Sequence, residues 1–271
     1  MTDLIVSAQW LSKHLDEVVV CDCRFALTNA TLGRQQYEFG HIPGAYYLDL
    51  NRDLSSAVER HGGRHPLPNP EAFAATIAKT GIMPSTIVVA YDDSRCAFSA
   101  RLWWLLRYFG HDQVAILDGG FKAWQNAGYP TTSVIPDSKP GQFTARSQSD
   151  WIVNIEDVKA RKDLPDVALI DSREAERYRG EREPIDPIAG HIEGAINFPW
   201  QAVTTEQGSV RSIEELRDQW SALQSKNEIL VYCGSGVTAC VNLFALAAAG
   251  IETGKLYAGS WSDWCSYLVE H

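Results

Sequence analysis

The chain has 271 residues, a formal net charge of −10, 45% hydrophobic and 21% charged side chains. That length is enough for two separate cores, and the acidic balance argues against a broad nucleic-acid surface, which needs clustered Lys and Arg. No apolar run approaches the ~20 residues of a membrane span, and Met1 to Val6 shows no basic, apolar leader, so a cytoplasmic location is expected.

In chain order, Val18 to Cys21 reads as the first strand, and Cys21 and Cys23 share one face of it, which suits core packing. Gly40-His41-Ile42-Pro43-Gly44-Ala45 follows as a turn. Ile87 to Ala90 reads as a second strand, then a helical stretch, then Val114 to Leu117 as a third strand. Ser133 to Ser149 is polar and holds Pro136, Pro140 and Gly141, which predicts a linker. Beyond it, Val167 to Ile170 and Ile229 to Tyr232 read as strands, Val241 to Ala249 as a helix, and Lys255 to Tyr257 as a short strand. Six cysteines without an export signal predict neither a disulfide framework nor, at these spacings, a metal site.

The chain repeats itself. Gly40 to Ala45 recurs as Gly190-His191-Ile192-Glu193-Gly194-Ala195. Val18 to Arg24 matches Val167 to Arg173, and Leu117 to Trp124 matches Tyr257 to Trp264. Three matches in one order make a tandem duplication. The expected division is 1–135, a linker at 136–150, and 151–271. Alternating strands and helices predict an α/β fold in each half: a mainly parallel sheet with helices on both faces, and sites outside the carboxyl ends of strands.

Cys233-Gly234-Ser235-Gly236-Val237-Thr238-Ala239-Cys240 lies at such an end, between a strand and a helix. Inward backbone N–H groups and the helix N-terminus favour an anion there, lower a thiol pKa, and mark Cys233 as a nucleophile. Aligning Ile87 to Tyr91 on Ile229 to Cys233 puts Tyr91 opposite the cysteine. The following Asp92 and Asp93 oppose a thiolate, so the first half is expected to be silent and Cys96 a bystander. Cys240, seven residues after Cys233, is expected to pack rather than to form a disulfide with it, and Cys265 carries no reading from sequence.

End to end, these motifs resemble the two-domain rhodanese-type sulfurtransferases. The end-to-end likeness is supported by Ser99-Ala100-Arg101-Leu102-Trp103-Trp104, Leu117-Asp118-Gly119-Gly120 and Gly259-Ser260-Trp261, and the cysteine loop resembles that of the mercaptopyruvate branch. The resemblance implies a thiolate of Cys233 that takes a sulfane sulfur from a small donor and passes it, as a persulfide, to cyanide, a thiol or thioredoxin, with no cofactor. It implies that Gly234, Gly236, Val237 and Thr238 cradle the anion, and that Ser235 and His65 form a proton relay. The family's acid falls at Asn51, which leaves Asp49 as a stand-in or the relay ending at His65. Arg177 matches the first donor-binding arginine. The second falls at Asp186, so Arg179 and Arg182 are the alternatives.

Uncharged Gly234 and Ser235 favour mercaptopyruvate over thiosulfate, whereas Asn51, Gly62 to Pro68 and Glu183 to Pro187 resemble thiosulfate-using members. Two rivals stand beside this reading. A phosphatase of the same fold needs an arginine at the loop's end, where this chain has Ala239. A sulfur carrier in a protein relay keeps Cys233 without turning over small donors.

Overall fold

The structure is a computed structural model, and it describes residues 4–269. It divides into two compact units. One comprises residues 4–56, 68–148 and 206–210; the other comprises 57–67, 149–205 and 211–269. The division therefore does not run once along the chain: 57–67 joins the second unit and 206–210 the first. The stretch read as a linker is tied down in the first unit, where Gly141 N–H donates to Ala78 O and Arg146 N–H to Phe109 O.

The first unit runs β1 (Ile5–Val6), α1 (Ala8–His14), β2 (Val18–Asp22), α2 (Leu32–Phe39), β3 (Tyr46–Tyr47), α3 (Pro70–Ala78), β4 (Ile87–Tyr91), α4 (Ser99–Tyr108), β5 (Val114–Leu117) and α5 (Gly120–Asn126). Its sheet has the order β1-β5-β4-β2-β3, every pair parallel. Parallel strands covered by helices must be apolar on both faces, and β4 and β5 accordingly consist of buried side chains but for Ile87 at the edge. Val89, Tyr91, Ala115 and Leu117 pack with Leu11 of α1 and with Phe121 and Trp124 of α5. Side chains alternate along a strand, so Val88 and Ala90 face away from that cluster, and α4 packs on β4 and β5.

The second unit repeats the plan: β6 (Ile152–Val153), α6 (Ile155–Arg161), β7 (Val167–Asp171), α7 (Ala175–Tyr178), β8 (Ile196–Asn197), α8 (Ile213–Trp220), β9 (Glu228–Tyr232), α9 (Ala239–Ala249), β10 (Gly254–Tyr257) and α10 (Ser260–Ser266). Its sheet order is β6-β10-β9-β7-β8, again parallel throughout. Helix α9 (ACVNLFALAAA) is apolar almost all round, which is the pattern of a buried helix. It stops at Gly250, whose φ of 84° supplies the left-handed cap.

A buried ion pair recurs with the fold. Arg24 grips Asp22 and donates to Gly40 O; Arg173 grips Asp171 and donates to Gly190 O. These duplicated pairs sit where the central strands end and tie the Gly-His-Ile turns to the sheet. Removing one partner of such a pair leaves an uncompensated buried charge, at a cost of about 3–5 kcal/mol.

Candidate functional site

The second unit places the cysteine loop between the end of β9 at Tyr232 and the start of α9 at Ala239. Cys233 is only 2% exposed. Its N–H donates to Ser260 Oγ at 3.1 Å, and its carbonyl accepts from Trp261 N–H at 3.0 Å. Gly234 O accepts from Ser262 N–H at 2.9 Å. Gly236 has a φ of 77°, and a Cβ there would lie 2.3 Å from Ala258 O, so the turn admits only glycine without moving the chain. Among the described residues, no protein oxygen accepts from the amides of Gly234, Ser235, Val237 or Thr238. Cys240 is buried, and its thiol donates to Gly236 O at 3.4 Å. The thiol of Cys265, further along, is pushed up to about 11, first by burial.

His65 reaches this loop because 57–67 belongs to the second unit. Three bonds anchor that segment to α10: His61 Nδ1 to Ser266 Oγ at 2.7 Å, Gly62 N–H to Asp263 Oδ1 at 2.7 Å, and Arg64 N–H to Ser262 Oγ at 3.2 Å. Gly63, at φ 82°, makes the close approach possible, since a Cβ there would meet Gly259 O at 2.4 Å. His65 Nδ1 then lies 2.7 Å from Ser235 Oγ, both side chains buried. Asp49 belongs to the first unit, where its Oδ1 accepts from the Asn51 and Arg52 amides and closes a turn.

Charged side chains converge on Gly234. The guanidinium nitrogens of Arg177 lie 3.5 Å from the position of a Cβ on Gly234, and Arg64 Nη2 lies 3.1 Å from it. Arg177 donates to Glu183 Oε1 at 2.7 Å and to Asp186 Oδ2 at 3.0 Å; Arg64 Nη1 pairs with Asp186 Oδ1. Glu183 is held in turn by Arg173 at 3.2 Å. Burial pushes the Arg64 guanidinium below its ordinary pKa, while Cys233 and Glu183 draw it back up and Arg177 lowers it. Asp186 therefore binds arginines rather than replacing one. Arg179 and Arg182 are exposed, and Arg179 pairs with Glu181 at 2.7 Å, so neither alternative lies among these contacts. Sequence reasoning passed over Arg64, although it sits beside His65, and also Ser260, whose buried hydroxyl is held at φ 58°.

The first unit carries the corresponding loop in another state. The strand register pairs Asp22 with Tyr91 and Asp171 with Tyr232, so Tyr91 corresponds to Tyr232. Asp92 O accepts from Phe121 N–H just as Cys233 O accepts from Trp261 N–H. The counterpart of Cys233 is thus Asp92, one residue beyond the Tyr91 expected from sequence. The Asp92 carboxylate accepts from the amides of Ser94, Cys96, Phe98 and Ser99 and from Ser99 Oγ, all at 2.7 to 3.1 Å. The loop's anion is built in. Burial first, and then Asp92, pushes the Cys96 thiol well above its ordinary value, which agrees with an inert cysteine.

The site is thus a cysteine turn at the carboxyl end of a strand in one of two duplicated parallel sheets, and the corresponding turn of the other sheet is filled by its own carboxylate. A model of the rhodanese-like domain matches residues 7–127 and again 154–267, and the chain belongs to that family. It is 43% identical over 267 residues to a Pseudomonas aeruginosa protein provisionally named a 3-mercaptopyruvate sulfurtransferase, covering 96% of this chain and 94% of that one. It is 37% identical over 254 residues to a Mycobacterium tuberculosis protein provisionally named a thiosulfate sulfurtransferase, SseB, covering 93% and 89%. The crystal structure of SseA from Escherichia coli, described as a 3-mercaptopyruvate sulfotransferase, superposes with a TM-score of 0.83 at 33% identity, covering 97% of this chain and all of that one. The chain is a sulfurtransferase.

Proposed function

We propose that this sulfurtransferase takes sulfur from 3-mercaptopyruvate in preference to thiosulfate, holds it on Cys233 as a persulfide, and delivers it to cyanide, a small thiol or thioredoxin in the cytoplasm. The observation that carries the reading is the convergence of Ser235 with His65 at 2.7 Å and of two guanidiniums on Gly234, all beside Cys233.

The Cys233 thiolate attacks the donor's sulfur. An S–S bond forms, the donor's C–S bond breaks, and its electron pair goes to the carbon as pyruvate enolate. The proton from the donor thiol returns to that carbon through Ser235 and His65, which gives pyruvate and an anionic persulfide. Amides of the 234–238 loop and the guanidiniums stabilise the persulfide's outer sulfur. Attack by cyanide on that sulfur breaks the S–S bond, restores the thiolate and releases thiocyanate. Two displacements through one covalent intermediate give ping-pong kinetics. With thiosulfate the first step expels sulfite and needs no proton, so Ser235 and His65 matter less there.

Donor-resolved steady-state kinetics with cyanide as acceptor test the preference. A kcat/KM ratio in favour of 3-mercaptopyruvate is expected; a tenfold ratio in favour of thiosulfate, about 1.4 kcal/mol of transition-state binding, contradicts it. The thiosulfate reading keeps the support of the SseB relative.

A further inference from the structure

The guanidiniums around Gly234 are arranged for a planar ligand. Arg64 commits Nη1 to Asp186 and turns Nη2 toward Gly234. Among the described residues, Nη2 and Nε of Arg64 meet no acceptor. Arg177 commits Nε and Nη2 to Glu183 and Asp186 and keeps Nη1 on the Gly234 side, its other neighbour being Glu174 at 4.0 Å. The Arg64 side chain is 32% exposed, whereas Asp186 is 1% and Glu183 4% exposed. The buried carboxylates therefore position the cations, and an arriving anion meets the free Nε–Nη2 edge of Arg64 and the single free nitrogen, Nη1, of Arg177.

The charge balance adds a second constraint. Arg64, Arg173 and Arg177 are matched by Asp171, Glu183 and Asp186, so this cluster has no surplus positive charge before Cys233 ionises. Such a cluster recognises shape and directed N–H bonds rather than total negative charge. A carboxylate accepts a guanidinium edge in a planar bidentate pair. A dianion brings one more charge that nothing here neutralises.

We infer that Arg64 supplies the donor-binding guanidinium expected at position 186, and that the Arg64–Arg177 pair, set by Asp186, selects a carboxylate-bearing monoanionic donor over a dianionic sulfur oxyanion. This rests on Cys233 being the sulfur acceptor.

Donor-resolved kinetics of Arg64→Gln, Arg64→Lys and Asp186→Asn, with cyanide as acceptor, test it. Arg64→Gln is expected to lower kcat/KM for 3-mercaptopyruvate tenfold or more, mainly through KM, and to change that for thiosulfate less than threefold. Arg64→Lys is expected to recover little, because an ammonium keeps the charge without the fork. Asp186→Asn, which adds one net positive charge, is expected to raise kcat/KM for thiosulfate. Intact mass at saturating donor shows whether each variant still loads one sulfur, separating a binding defect from a misfolded loop. An equal fall for both donors in Arg64→Gln, or an unchanged KM for 3-mercaptopyruvate, overturns the inference even if the wild type prefers 3-mercaptopyruvate. A wild type that loads no sulfur on Cys233 overturns the functional reading itself.

Discussion

Gly236 and Gly234 differ in what a single methyl group would meet, and the contrast tests whether the loop geometry carries the chemistry. At Gly236 the backbone has a φ of 77°, and the new Cβ would lie 2.3 Å from Ala258 O, which is backbone of the residue after β10. A left-handed conformation costs an L-residue about 1–2 kcal/mol, and overpacking adds about 1–3 kcal/mol. Gly236→Ala should therefore destabilise the loop by roughly 2–5 kcal/mol and lower kcat at least tenfold. At Gly234 the atoms nearest the methyl would be the ends of Arg64 and Arg177, 3.1 to 3.5 Å away, and long side chains can give way. Gly234→Ala should cost under about 1 kcal/mol and raise KM for the donor more than it lowers kcat. Because a two-unit chain need not unfold in one step, amide hydrogen exchange in β9 and α9, read with steady-state kinetics, is the appropriate assay. Full kcat and unchanged exchange in Gly236→Ala would refute the reasoning.

Three further outcomes follow. Asp92→Asn keeps the shape of the filled loop but turns an amide toward N–H groups, so the first unit should lose about 2–4 kcal/mol, seen as faster exchange in β4 and α4, while Cys233 still loads one sulfur. Ser235→Ala removes the partner of His65, and kcat with 3-mercaptopyruvate should fall about 100-fold, the lower end of the range for lost proton transfer, with less than a threefold change for thiosulfate. Burial raises the Cys21 thiol from 9.0 to about 12. The folded state thus holds that proton after the unfolded chain has released it, so this thiol's contribution to stability is fully present below pH 9 and is lost at about 1.4 kcal/mol per unit as pH rises toward 12. Denaturation of Cys21→Ala over that range should show a shallower slope than wild type.

The duplicated plan was legible in the sequence because its longer strands are continuous apolar runs, which is what a parallel sheet covered on both faces requires. The two-residue edge strands β1, β3, β6 and β8 were not, since two residues show no period. The one-residue slip at Tyr91 has a clear origin. Strand β9 begins at Glu228, whose carboxylate takes Lys255 Nζ at 2.6 Å, whereas an apolar reading starts at Ile229. Cys233, Ser235, His65 and Arg177 were legible from the loop and the family pattern. Arg64 was not, because the family pattern points to the neighbourhood of Asp186, while the arginine that pairs with Asp186 comes from 122 residues away. A signal did exist: a carboxylate is almost never buried unpaired, so an aspartate in an anion-binding position implies a cation elsewhere.

One cysteine of six, Cys233, is proposed to carry the sulfur. Intact mass spectrometry of the wild type and of Cys233→Ser after incubation with 3-mercaptopyruvate, without acceptor, separates it from the other five. The wild type should gain the mass of one sulfur atom and lose it when cyanide is added, and Cys233→Ser should gain none. Sulfur retained on the variant, or turnover to thiocyanate without Cys233, would contradict the account.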